Sequence, residues 1–259
     1  MADANSITLE DLPDDILLQI LRRLDGPSLA ATCCSSPHLH RLSSLPSLWF
    51  NLCISTYPSL LLLPSHPFSP RSFFSLSFPF PSFSPTAQPT PNPDFIFSFI
   101  DLHHRGTLIL SRILLTDTRS PLFLSSPFRL NAIDRHLPPD LAFSPSDLEL
   151  SWVVMDRMGD RVVDLSSWKP VSLEMNWFSG DVKVRFGMMA GEGRAVVVAG
   201  VICSVVGVRR VGLVVEDRNG VPMNGRDSMA VIGGMMDGGR KGLRKRGIRL
   251  ESGKILQPN

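Results

Sequence analysis

Between Pro13 and Pro27 the chain carries a helix that starts and stops on its own signals. Pro13 suits a first helical turn, since its ring presets φ and its missing N–H would have no intrahelical partner there. Asp14 and Asp15 follow at the positive end of the helix dipole, with Arg22 and Arg23 near the negative end. Ile16, Ile20 and Leu24 recur every four residues, and Leu17 and Leu21 lie one step round, which makes a wide apolar stripe. Gly26 fits a left-handed C′ position and Pro27 blocks continuation. Shorter helices are expected behind it. Ser28 can cap a segment through Cys34, Ser36 and Pro37 can open one through Ser43, and Leu48, Trp49 and Leu52 cluster after a break at Pro46. A unit this small buries little apolar surface by itself. Its stripes exceed what its own core can cover, which implies a partner surface.

Leu12-Pro13, the Ile20-Leu21-x-x-Leu24 run, Leu29 after the turn and the closing Leu48-Trp49 resemble the F-box motif over about the first fifth of the chain. The resemblance implies docking on a Skp-type adaptor, and through it on a cullin scaffold and a ubiquitin-conjugating enzyme. The adaptor-binding residues it implies are Leu12, Pro13, Ile16, Leu17, Ile20, Leu21, Leu24, Leu29, Leu48 and Trp49. The sequence departs from the motif at Pro37 and His38, where many F-boxes carry a basic residue and then a hydrophobe or Trp.

A chain of 259 residues accommodates such a module plus one medium domain. A hydrophobic fraction of 43% against 19% charged describes a folded chain with a sizeable core. The formal net charge of +2 gives no whole-molecule field for nucleic acid, and none is expected as a partner. Cys33, Cys34, Cys53 and Cys203 have no metal-ligand spacing. The start, MADANSITLEDL, is acidic and polar rather than signal-like. The longest apolar run, 195–206, is too short to span a bilayer and holds Gly200. These features lead us to expect a cytoplasmic or nuclear chain with reduced thiols and no membrane partner.

The organisation expected is a helical module at 8–56, a connecting segment at 57–93, a β-rich domain at 94–239 and a basic tail at 240–259. The connecting segment is rich in Pro, Ser and Phe, with Arg71 its one formal charge up to residue 93. Proline every few residues is expected to exclude helix and central strands here. Phe68, Phe73, Phe74, Phe78, Phe80 and Phe83 require burial, so an irregular but packed segment is expected, with 86–93 as its mobile part. Beyond it, strands are expected at 95–99 and 107–115 around a His103-His104-Arg105-Gly106 turn, and at 122–130. Hairpins are expected at 148–155 with 161–165 and at 171–178 with 182–186, turning at Met158-Gly159 and Gly180-Asp181. Strands at 195–206 and 210–216 complete about eight. The fold class expected is α+β: an N-terminal helical module, then a mainly antiparallel sandwich-like domain with a short C-terminal helix. Asn224 to Ser228 would cap that helix, running 229–237 and closed by Gly238-Gly239.

DLHHRGTLILSRIL, FLSSPFRL, NWFSGDVKVRF and GLVVEDRNGVPMNGRDSM resemble segments of a plant F-box subfamily whose C-terminal part has no named catalytic activity. Their order and spacing extend the resemblance to most of the chain. The tail, with Arg240, Lys241, Arg244, Lys245, Arg246 and Arg249, reads as a solvated basic end, or as an import signal or anion-binding patch.

The sequence holds no Gly-x-Ser-x-Gly elbow, phosphate loop or His-Glu-x-x-His pattern, and Gly191-Glu192-Gly193 lacks the third glycine of a dinucleotide loop. His103 and His104 read as turn residues rather than catalytic bases. Trp152, Trp168 and Trp177 read as sheet core or rim, with stacking on a sugar or peptide as the alternative. The expectation is a non-enzymatic, cofactor-free receptor subunit of a Skp–cullin–F-box ubiquitin ligase that holds an unidentified target protein through its β domain. A lectin-like carbohydrate reader is the alternative for that domain.

Overall fold

The computed structural model describes residues 12–77, 90–133, 144–190, 193–204 and 207–245. Four helices come first: α1 (Asp14–Leu21), α2 (Gly26–Thr32), α3 (Pro37–Ser43) and α4 (Pro46–Thr56). A 3-10 turn, Pro58–Leu62, leads to α5 (Pro70–Ser77). Strands β1 (Phe95–His104) and β2 (Thr107–Asp117) precede the short α6 (Pro121–Ser125) and β3 (Arg129–Ile133). Then come β4 (Leu148–Asp156), β5 (Val162–Asp164), β6 (Ser172–Met175), β7 (Val182–Ala190), β8 (Ala195–Ser204), β9 (Gly207–Asp217) and α7 (Gly225–Lys245).

The strands form two antiparallel sheets, one ordered β2-β1-β4-β5 and one ordered β3-β9-β8-β7-β6. Alternation fixes which side of each strand is buried. Ile96, Ile100, Leu102, Leu150, Trp152 and Val154 face a core shared with Val197, Ala199, Val201, Leu213 and Val215 of the second sheet. Met229, Ile232, Met235 and Met236 of α7 complete it. The opposite side of the first sheet is covered as well. Phe99, Val153, Met155 and Val162 join one core with Leu17, Leu21, Leu29, Trp49, Tyr57 and Phe73 of the helices. The fold class expected from the sequence is the one observed, with an added internal layer where the helices back onto the first sheet.

Several elements differ from the sequence reading, each for a local reason. Gly26 does not close α1. It opens α2, where Asp25 caps by accepting the Ser28 N–H at 2.8 Å, and a Cβ on Gly26 would run into the Phe74 ring. Ser36 does cap α3, accepting the Leu39 N–H at 3.3 Å. The connecting segment holds a helix, α5, because Pro70 stands at its first position, where a proline lacks no needed donor. Residues 122–130 split between α6 and β3 instead of forming one strand, with Pro121 again starting a helix. Helix α7 begins at Gly225, where Asn224 Oδ1 accepts the Asp227 N–H at 2.9 Å, and it continues through Gly238 and Gly239 to Lys245. Residues 240–245 of the expected tail are therefore helical; 246–259 lie outside the described residues. Of the stretch expected to be mobile, 86–89 lie outside the described residues. Thr90 donates to Asp237, Pro91 accepts from Arg161 at 3.0 Å, and Pro93 accepts from Thr118, so 90–93 are tied down.

Candidate functional site

Helix α1 lies across the other module helices with Leu17 and Leu21 inward, 1% and 4% exposed. Ile16 and Ile20, each 39% exposed, point away from that core. Pro13 precedes them, also exposed, with its carbonyl accepting the Ile16 and Leu17 N–H groups at 3.0 and 3.1 Å. Leu12 and Leu24 are half-buried at the two ends. The residues expected to bind an adaptor thus divide into two sets. Pro13, Ile16 and Ile20, flanked by Leu12 and Leu24, form an open apolar face. Leu17, Leu21, Leu29, Leu48 and Trp49 are buried and hold the helix that carries it.

That support is specific. Trp49 donates its indole N–H to the Ser43 carbonyl at 2.8 Å and lies under the Arg71 guanidinium, 5.4 Å from the ring centroid. Asp14, beside the open face, is within 3.0 Å of His38 Nε2 and 3.4 Å of Arg41. The His38 that departs from the motif therefore pins α3 to the start of α1.

A second arrangement joins the helices to the sheet. The Asp101 carboxylate on β1 is fully buried and accepts the Ser59 N–H at 2.9 Å, the Ser59 hydroxyl at 2.6 Å and the Ser111 hydroxyl at 2.7 Å. Burial pushes its pKa up, and the bonds from Ser59 and Ser111 draw it back down. Asp164 on β5 accepts the Trp168 indole N–H at 2.8 Å, the Ser166 N–H at 2.9 Å, the Ser166 hydroxyl at 2.8 Å and the Trp152 N–H at 3.3 Å. Burial pushes its carboxyl up to about 6 against those donors. Trp168, at φ 61°, also meets Tyr57 from the end of α4, with ring centroids 6.0 Å apart. Neither carboxylate stands beside a nucleophile aimed into open space, and both act as anchors. Sequence reasoning missed both: an Asp or Ser alternating within a strand resembles the solvated half of any sheet, and no local signal marks which face the helices cover.

His104, at the end of β1 rather than in a turn, is buried and accepts the Ser144 N–H at 3.2 Å. Trp152 fills the core and Trp168 is half-buried. Trp177 is neither core nor rim: it is 81% exposed in the β6–β7 turn, beside Phe178 at 83%. Among the described residues no group of three or more His, Cys, Asp or Glu side chains could hold a metal. No helix there is long and apolar enough to cross a membrane.

The helical module thus leaves one apolar helix face open and is packed through other residues onto the first sheet. The F-box-like family model matches residues 9–55. The probable F-box protein At2g36090 of Arabidopsis thaliana is 38% identical, covering 91% of this chain and 78% of its own length. F-box proteins At2g27310 and At3g44326 of the same plant are 34% and 32% identical, over 91% and 85% of this chain and 81% and 71% of theirs. No solved structure matches the chain. The chain belongs to the F-box protein family, with the plant members as its relatives.

Proposed function

We propose that the chain is a substrate-recruiting subunit of a Skp–cullin–F-box ubiquitin ligase, binding a Skp-type adaptor through α1 and a target protein through the β structure. The observation that carries this is the open face of Pro13, Ile16 and Ile20 on a helix that is held in place through its buried neighbours Leu17 and Leu21. Contiguous apolar surface held rigidly in water is the mark of a docking site. Its mechanism is proximity. The adaptor end fixes the receptor on the scaffold, and the target end raises the effective concentration of a target lysine at the conjugating enzyme. A rigid weld between helices and sheet serves this, because a fixed geometry limits the volume the target explores. The receptor performs no bond chemistry of its own and acts in the cytoplasm or nucleus. Pull-down of purified Skp-type adaptor by the full chain tests the reading. A complex at micromolar concentration is expected, and its absence overturns the proposal.

A carbohydrate-reading β domain is the second reading, favoured by the exposed Trp177 ring, which offers a face for stacking. Binding on a glycan array that is lost in Trp177→Ala would establish it.

A further inference from the structure

The second sheet ends in a strand with one side unpaired. Among the described residues β6 pairs only with β7, so alternate backbone N–H and C=O groups along 172–175 point away from the sheet. Leu173 and Met175 lie opposite Val184 and Val182, on the side of the sheet that elsewhere forms the core. At this edge they are left 48% and 73% exposed. The two stand at the two-residue period of a strand.

The turn that follows is built to hold its shape. Asn176 Oδ1 accepts the N–H groups of Phe178 and Ser179 at 3.0 and 3.3 Å, and the Asn176 carbonyl accepts the Gly180 N–H at 2.8 Å. Gly180, at φ 71°, supplies the left-handed residue. Trp177 and Phe178 are held outward together, with ring centroids 4.1 Å apart. Paired, preordered aromatics beside an open edge are the kind of anchor that dominates binding energy.

On the other side of β6, Glu174 is the strand's one charge. Its carboxylate is 3.5 Å from Arg185, whose guanidinium is committed more closely to Glu216 at 2.9 Å. Glu174 also stands opposite Lys183 on β7, so the edge presents a carboxylate with Arg185 and Lys183 on its inner side and water on its outer side, between two apolar positions in sequence.

We propose that this edge holds the target protein by an extended segment that adds a strand beside β6. Apolar residues of the segment cover Leu173 and Met175, a Lys or Arg lies opposite Glu174, and a further apolar side chain meets Trp177 and Phe178. This rests on the receptor reading above and names its target-binding surface. Three features select the occupant. The outward backbone groups match another extended backbone and nothing on a sugar. The apolar positions repeat at strand spacing. A second copy of this chain would bring two Glu174 carboxylates onto one short edge, whereas a basic segment complements the charge.

The full chain, challenged with a displayed library of random peptides, tests this. Selected peptides should alternate apolar residues with a Lys or Arg, and the best of them should slow hydrogen exchange at the amides of 172–175. Leu173→Lys with Met175→Lys should weaken binding by about tenfold or more with an unchanged melting temperature, since both side chains are exposed. Glu174→Lys should switch the selected basic residue to an acidic one. Peptides that bind the double variant equally well, or that leave 172–175 unprotected, overturn the proposal, as does an unenriched library. A concentration-dependent dimer abolished by the double variant assigns the edge to self-assembly, and glycan binding lost in Trp177→Ala assigns it to carbohydrate; either overturns it. Adaptor pull-down on the same preparation is a separate arm. Retained adaptor binding with failed peptide selection refutes this surface alone, and lost adaptor binding refutes the receptor reading.

Discussion

The two sheets of this protein are built from similar residues and used differently. Strands β1, β4 and β5 of the β2-β1-β4-β5 sheet are buried on both faces, against the second sheet on one side and the helical module on the other, while the edge strand β2 has no fully buried residue. Between its apolar residues it carries buried polar ones, Ser98, Asp101, Ser151 and Asp164. The β3-β9-β8-β7-β6 sheet covers one face only, and its last strand and turn leave Leu173, Met175, Trp177 and Phe178 in water. Buried polar groups cost stability unless satisfied, so the satisfied carboxylates of Asp101 and Asp164 fix geometry at the weld. The Ser98 and Ser151 hydroxyls find no hydrogen-bond partner among the described residues. Exposed apolar groups contribute little to folding, so they remain free for a partner. Under the proposed function, the contrast separates the part that transmits position from the part that contacts the target.

The largest effect should come from the weld. Phe73 is fully buried, with Tyr57, Phe68 and Phe99 around it, their ring centroids 5.8, 4.6 and 6.1 Å away. Phe73→Ala should cost about 3–5 kcal/mol. In urea titration, helical and strand signals should move together. Two separate transitions would break the comparison by showing that the helices and the first sheet are energetically independent.

Removing the Asp101 carboxylate is next. Asp101→Ala leaves the Ser59 N–H and two hydroxyls without their acceptor, a loss of about 1–3 kcal/mol in the same titration. A null result would mean that the helices are held by apolar contact alone.

Asp164 predicts a pH dependence. Its pKa is about 6 in the folded chain and about 3.9 in an unfolded one. Between those values the native state binds more protons than the unfolded state, so this group's contribution to stability falls as pH rises from about 4 to 6. Asp164→Asn should flatten that part of the profile in melts across the window. An unchanged slope would show that the carboxylate does not titrate there.

The smallest effect belongs to the open edge. Trp177→Ala should change stability by under about 0.5 kcal/mol, measured by thermal melting. A larger loss would mean that the aromatic pair supports the fold, and the sheets would then be less different than their exposures imply.

The helices with local punctuation could be read directly: Ser36-Pro37 opens α3, and Asp14 with Asp15 opens α1. Most strands were legible too, because alternation and the turns at Met158-Gly159 and Gly180-Asp181 are local signals. Helix α5 was hidden by its composition. Proline density argues against helix on average, but Pro70 stands at the one helical position where it is favoured. The run through Gly238-Gly239 was missed for the opposite reason, since glycine permits a helix end without forcing one. Within α1, periodicity gave the stripe but not its division. Ile16 and Leu17 are equivalent by hydrophobicity, and only the packing of α1 against its neighbours, α3 among them, decides which faces inward. The double coverage of the first sheet is a long-range property. No residue of β1 announces that Phe99 and Ile100 will both be buried, on opposite faces.

The most direct test of the account is calorimetric titration of a purified Skp-type adaptor against the full chain and against Ile16→Asp with Ile20→Asp. Both side chains are 39% exposed on α1, so the variant should keep the folded far-UV and melting signals of the β structure, while a charge at each centre of the open face weakens the complex by about a hundredfold or more. An affinity within about threefold of wild type, under 1 kcal/mol, would contradict the assignment of this face as the docking site.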